Sequence, residues 1–109
     1  MSATRLSPDG PGRWRLDGVL DLTTVNRLAR EGETLLRGAT AIEIDLVGVS
    51  AANSAGLALL LEWLDLAGAR GVALRYANLP DSLRRIAAFS NILELLPVST
   101  TPAMAARSS

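Results

Sequence analysis

The stretch VSAANSAGLALLLEWLDLAG, residues 49–68, contains the residues of this chain that are best suited to chemistry. Asn53, Ser54 and Gly56 lie within four positions, directly before a run of leucines. A helix that begins here has unpaired backbone N–H groups and a partial positive charge at its amino end. Ser54 therefore has three possible roles: a plain helix cap, a phosphoryl acceptor, or a docking point for another protein. Gly56 leaves room for another backbone or a bulky group to approach.

The composition excludes most catalytic classes. The 109 residues include no histidine and no cysteine, so the commonest general base, the commonest metal ligand and thiolate chemistry are all missing. Asp17, Asp21 and Asp45 are scattered over predicted strand ends and are interpreted as solvated or capping groups. The chain also lacks a glycine-rich phosphate loop. We therefore predict that the protein is not an enzyme and binds neither a cofactor nor a metal.

Charge and hydropathy indicate where the protein works. Eleven basic and eleven acidic residues cancel, so no basic patch for nucleic acid or an anionic membrane is indicated. The first ten residues contain no apolar signal region, and the apolar run at 57–61 is far shorter than a membrane span. We expect a cytoplasmic protein that does not insert directly into a membrane. Its single domain is predicted at 1–98, with a flexible tail at 99–109.

Hydrophobic periodicity predicts an α/β fold. The turn formers at 8–12 separate two alternating segments, which indicates an antiparallel hairpin. The predicted strands lie at about 3–7, 13–18, 41–49 and 72–77, and the predicted helices lie near 24–37, 54–69 and 81–90. Strands joined by helices must be parallel, with right-handed crossovers. We therefore expect a mixed sheet of about four to five strands, opened by the hairpin and packed with about three to four helices.

The ends of the helices have recognisable residues. The expected caps and stops are Thr23 or Thr24 and Gly38 for the first helix, Gly68 or Gly71 for the second, and Asn91 for the third. The segment at 92–98 is expected to close the domain as a short helical turn or an edge strand.

The second helix contains more leucine than a single buried face requires. One apolar stripe can face the sheet and consists of Leu57, Leu60, Leu61, Leu64 and Gly68. A second stripe, about half a turn away, consists of Leu59, Trp63 and Leu66. Either neighbouring helices bury this second stripe, or part of it binds a partner with Trp63 as the anchor. We favour the partner, because the helix is very apolar and the domain is small.

Separated segments of the chain resemble the STAS domain, the fold of anti-sigma factor antagonists and of sulfate-transporter tails. They are LDGVLDLTTVNRL, IEIDLVGVSAANSAGLALLLEWLDLAGARGVALRYANLPDSLRRI and SNILELLP, and together they cover roughly residues 13–97. Within the family, AGLALLLEW and the compact length are most similar to the cytoplasmic STAS subunits of phospholipid ABC transporters, which maintain outer-membrane lipid asymmetry.

The family motif, Asp-Ser/Thr-x-Gly, falls at the start of the second helix. Ser54 matches its hydroxyl position and Gly56 its glycine, whereas Asn53 replaces the usual aspartate. The resemblance implies that this hydroxyl accepts a phosphoryl group in antagonists and contacts the ATPase in transporter subunits. Loss of the carboxylate weakens the phosphorylation hypothesis more than the docking hypothesis, since an amide can still cap a helix.

The resemblance implies a non-catalytic accessory subunit that binds the ATPase subunit of a phospholipid ABC transporter. Through that partner it would reach a membrane permease and lie at the periphery of the inner membrane. The expected contact residues are Asn53, Ser54, Ala55, Gly56, Leu59 and Trp63. The alternative is an anti-sigma factor antagonist that is regulated by phosphorylation of Ser54.

Overall fold

The computed structural model describes residues 4–89 and 96–97. The predicted tail, Asn91 and most of the segment at 92–98 lie outside these residues. The strands are β1 (Arg5–Pro8), β2 (Arg13–Leu20), β3 (Ala41–Ala52) and β4 (Ala73–Ala77). The helices are α1 (Val25–Leu36), α2 (Ser54–Arg70) and α3 (Asp81–Phe89). The predicted order of elements is confirmed.

The four strands form one mixed sheet in the order β1-β2-β3-β4. β1 and β2 form the predicted antiparallel hairpin, whereas β2, β3 and β4 run parallel. On the side of β4 that faces away from β3, the backbone N–H of Tyr76 donates to the Pro97 carbonyl at 2.9 Å. The described end of the chain therefore continues the hydrogen bonding of the sheet at this edge.

The helices cover one face of the sheet and the other face is polar. Alternation along the strands places apolar side chains such as Leu16, Ile44 and Leu74 in the core. The opposite face carries charged side chains, among them the ion pair between Arg13 Nε and Glu43 Oε1 at 3.5 Å. A sheet with one solvated face accounts for the alternating pattern in the sequence.

Two left-handed glycines end the first two helices. Gly38 follows α1 with a φ of 74°, and Gly71 caps α2 with a φ of 70°. Gly68 stays inside α2, so Gly71 is the residue that ends it. Thr24 occupies the N-cap position of α1, yet its side chain makes no capping hydrogen bond. Its hydroxyl instead donates to the Val19 carbonyl at 2.9 Å, which ties the loop to β2.

Trp63 is the largest fully buried side chain, and it packs against α1. Gly32 of α1 provides the space, because a Cβ at this position would overlap the Trp63 indole ring. The indole Nε1 has no hydrogen-bond partner within the described part of the chain. The contact between α1 and α2 therefore depends on a glycine in the middle of a helix.

We expect Gly32→Ala to lower the free energy of unfolding. Alanine favours a helix over glycine by about 1 kcal/mol, but the added methyl would collide with the Trp63 ring. Overpacking of this kind costs roughly 1–3 kcal/mol. Urea denaturation, monitored by circular dichroism, measures the net change in the free energy of unfolding.

Gly68→Ala is the matched control. A Cβ at Gly68 meets no atom within 4 Å, so this variant should be more stable by up to about 1 kcal/mol. Equal stabilisation of both variants would contradict the packing of Trp63 on Gly32.

Tyr76 gives the fold a dependence on alkaline pH. Its hydroxyl is buried and donates to the Leu60 carbonyl of α2 at 2.7 Å. Burial raises the pKa of Tyr76 above its ordinary value of 10.0. Because the unfolded chain releases this proton more readily, the stabilisation is complete below pH 10.0 and is lost as the pH rises above it.

We therefore expect the melting temperature to fall as the pH rises above about 10, and to fall less steeply in Tyr76→Phe. Tyr76 is the only tyrosine in the chain, so tyrosinate absorbance reports its ionisation directly. Absorbance that titrates near its ordinary pKa while the protein remains folded would refute the buried position.

Candidate functional site

The candidate site lies where two parallel strands end. Leu20, the last residue of β2, pairs with Ala52, the last residue of β3. The Asn53 backbone N–H donates to the Leu20 carbonyl at 3.2 Å, so the two outgoing segments start side by side. One segment leads into α1 and the other into α2. Ligands of open α/β sheets commonly bind beyond the carboxyl ends of strands such as these.

Asn53 caps α2. Its backbone is extended, and its side-chain Oδ1 accepts a hydrogen bond from the Ala55 N–H at 2.9 Å. Ser54 follows as the first residue of the helix and is exposed. The predicted position of Ser54 at the start of the second helix is confirmed, and its exposure is compatible with a role in docking or as a phosphoryl acceptor. Since Asn53 supplies the cap, the Ser54 hydroxyl is left available for another contact.

Gly56 has an internal role. A Cβ at this position would lie 2.8 Å from Leu20 Cβ and 3.4 Å from Ala52 Cβ, both in the strands beneath the helix. The glycine therefore allows α2 to approach the strand ends closely. The sequence interpretation left room at Gly56 for another backbone or a bulky group, and in the structure it is the ends of β2 and β3 that approach this glycine. Ala55, the remaining residue of the motif, is half-buried.

The prediction that part of the second stripe binds a partner, with Trp63 as the anchor, is wrong. Leu59 is 3% exposed and Trp63 is 0% exposed, because α1 covers this side of α2. Neighbouring elements bury Leu59 and Trp63, which was the other alternative, and leave Leu66 half-buried. Within the first stripe, Leu57 and Leu60 are buried as expected, whereas Leu61 and Leu64 are half-buried. These two leucines line an open groove of about 650 Å³ together with Ala58, Glu62 and Asp65.

A second groove lies beside Ser54, between the first turns of α1 and α2. It has a volume of about 170 Å³ and a mostly apolar lining of Leu22, Val25, Asn26, Ala29, Ala55, Ala58, Leu59 and Glu62. Leu22 is 78% exposed, the highest exposure of any large apolar residue at this edge of the sheet. Leu22 was not among the residues predicted from the sequence, although an apolar residue between the turn formers Asp21 and Thr23 is a usable signal.

Hydrogen bonds fix the loop that carries Leu22. The Asp21 Oδ1 atom accepts from the Thr23 hydroxyl at 2.5 Å and from the Thr23 N–H at 2.9 Å. The Asp21 N–H donates to the Thr24 Oγ1 atom at 3.1 Å. The hydrogen bonds from Thr23 lower the pKa of the Asp21 carboxyl below its ordinary value, so this group is ionised at neutral pH.

Nothing in the described residues indicates metal chemistry or a membrane span. No group of three acidic, histidine or cysteine side chains among residues 4–89 and 96–97 could hold a metal ion. Within the same ranges, every helix is too short or too polar to cross a membrane. The arrangement is therefore a surface with an available hydroxyl, a capped helix end and an apolar groove.

The fold has two layers, a single mixed sheet and the helices on one of its faces, and an exposed serine lies at the start of α2. A family model described as "Mlab, STAS domain" matches residues 5–97. This chain belongs to the STAS domain family, in the MlaB-type group that the model describes. STAS domains mediate interactions between proteins. Among curated proteins, none matches the chain.

Solved structures of anti-sigma factor antagonists share the fold. SpoIIAA in its unphosphorylated form has a TM-score of 0.69 at 21% identity, over 97% of this chain and 96% of that chain. An antagonist from Mycobacterium paratuberculosis has a TM-score of 0.72 at 20% identity, over 97% and 92%. The Bacillus cell fate determinant SpoIIAA in its phosphorylated form has a TM-score of 0.66 at 19% identity, over 98% and 100%.

We expect Asn53→Ala to lower the free energy of unfolding by about 1 kcal/mol, because the Ala55 N–H loses its acceptor. Asn53→Asp restores the family residue, and it keeps an acceptor while adding a favourable charge at the helix end. That variant should be at least as stable as the wild type. Urea denaturation of the two variants measures the difference. If alanine were tolerated without loss, the cap would be unimportant for stability.

Proposed function

We propose that this chain is a non-catalytic accessory subunit of an ABC transporter for phospholipids and that it binds the ATPase subunit. Through that subunit it would be linked to a permease at the inner membrane and would contribute to outer-membrane lipid asymmetry. The observation that carries the proposal is the exposed Ser54 hydroxyl beside the groove between α1 and α2. The match to the MlaB-type family model supports the choice of partner.

The chemistry of the surface supports binding over catalysis. The cap of α2 is a neutral amide, and the adjacent groove is mostly apolar. Burial of apolar surface around a central hydrogen bond is the usual basis of a stable protein contact. The chain has no histidine or cysteine that could serve as a base or nucleophile at this edge.

Trp63 and Gly56 contribute indirectly. Trp63 anchors α2 to α1, and Gly56 brings α2 onto the strand ends. Together they fix the position of Asn53 and Ser54 on the surface. In this proposal, Ser54 and the groove residues touch the ATPase, whereas Trp63 only positions them.

The second candidate is an anti-sigma factor antagonist that is switched by phosphorylation of Ser54. The fold likeness to antagonists and the exposure of Ser54 at a helix amino end support it. A partner kinase could reach this hydroxyl without unfolding the helix. Asn53 weighs against it, because this residue departs from the aspartate of the family motif.

We expect graded effects of Ser54 substitutions on binding to the ATPase subunit. Ser54→Ala removes one hydrogen bond, worth about 0.5–1.5 kcal/mol net, and should weaken binding modestly. Ser54→Glu and Ser54→Arg place an unpaired charge in the contact at a cost of several kcal/mol, and should abolish binding. Isothermal titration calorimetry with the purified ATPase measures these changes.

Two controls accompany the series. Ser54→Glu favours the dipole of α2, so lost binding with an unchanged melting temperature cannot be attributed to unfolding. Thr40→Arg introduces a charge at an exposed residue beside the amino end of β3, at the opposite edge of the sheet, and should bind like the wild type. Wild-type affinity in all Ser54 variants would place the contact elsewhere. A phosphoryl group on Ser54 after incubation with a cognate serine kinase, detected by intact mass, would favour the antagonist.

A further inference from the structure

Leu22 is held at the surface by the structure around it. Thr24 binds the Val19 carbonyl, and Asp21 binds both the backbone and the side chain of Thr23. These hydrogen bonds define the turn and leave Leu22 78% exposed. A leucine fixed in water gains no burial within its own chain, so its apolar surface is available to a partner.

The groove beside Leu22 has the size of one large side chain. Its volume is about 170 Å³, and a cavity of about 150 Å³ is large enough to hold benzene. Its larger apolar lining residues are Leu22, Val25 and Leu59, and its small ones are Ala29, Ala55 and Ala58. A leucine or phenylalanine side chain of a partner fits this space.

The only formal charge in the lining of the groove is negative. Glu62 is the only charged residue in its lining, and none of the ion pairs within residues 4–89 and 96–97 includes it. Arg27, in the first turn of α1, donates hydrogen bonds to the Thr4 carbonyl and to Glu31 Oε2, the latter at 3.0 Å. Arg30 does not line the groove. An unpaired carboxylate beside an apolar groove is complementary to a basic group.

We propose that the partner inserts one large apolar side chain into this groove, against the exposed Leu22, and places a lysine or arginine against Glu62. The inserted segment lies next to Ser54, because Ala55 and Ala58 of the same helix line the groove. This inference rests on the proposed function for the identity of the partner. It adds the chemistry by which that partner is recognised.

The test measures the affinity of the full chain for the ABC ATPase subunit and, separately, for a cognate anti-sigma serine kinase. Leu22→Asp should weaken binding on the order of tenfold or more, whereas Leu22→Met should stay within about threefold of the wild type. Glu62→Arg should weaken binding by a similar factor as Leu22→Asp, and its effect should be larger at low salt.

Matched controls separate the groove from general surface changes. Val47→Asp alters another exposed apolar residue, 56% exposed, on β3. Asp9→Arg changes the net charge as Glu62→Arg does, but in the β1–β2 turn at the far end of β2. Both variants should bind like the wild type. Melting temperatures verify that every variant is folded.

The outcomes distinguish the inference from the proposed function. ATPase binding that Leu22→Asp and Glu62→Arg both weaken supports the two together. Unchanged ATPase binding in Leu22→Asp overturns the insertion of an apolar side chain into the groove. Unchanged binding in Glu62→Arg overturns the pairing of a basic group with Glu62. In both cases the proposed function stands. Binding to the kinase alone, with the same pattern of losses, overturns the transporter role and supports the groove. Binding to neither protein overturns both.

Discussion

The packing of α2 between α1 and the strand ends is the constraint on which the rest of the structure depends. Two glycines make it possible: Gly32 accommodates the ring of Trp63, and Gly56 lets α2 approach Leu20. Protein interiors are packed at crystal-like density, so neither contact tolerates an added methyl group without displacement. The fixed helix then places Asn53 and Ser54 at the carboxyl edge of the sheet.

Most of the fold could be predicted because its elements have clear periods. The alternation along β2 and β3 and the amphipathic pattern of α1 each identify a single buried face. The helix α2 has two apolar stripes, so its pattern predicts the burial of Leu57 and Leu60 but does not show whether the second stripe is buried as well. Gly32 is the signal that bears on the second stripe, since a glycine inside a helix costs about 1 kcal/mol and often has a packing reason.

The candidate site was predictable in its polar part only. A short polar side chain before a leucine-rich helix indicates a cap, and Asn53 and Ser54 lie where this pattern places them. The apolar part depends on tertiary structure. Leu22 borders a groove only because β2 and β3 end together and bring the two helix starts side by side. No local pattern in the sequence contains that juxtaposition.

The charges at this edge act in opposite directions on a phosphate at Ser54. The amino end of α2 would stabilise a phosphate on Ser54. The ionised Asp21 follows β2 at the same edge, and Glu62 lies in the adjacent groove, so two carboxylates oppose a further negative charge. A phosphate would also hydrate a surface that is otherwise suited to apolar burial. Phosphorylation would therefore oppose a contact made through Leu22 and the groove, whereas the neutral hydroxyl is compatible with it.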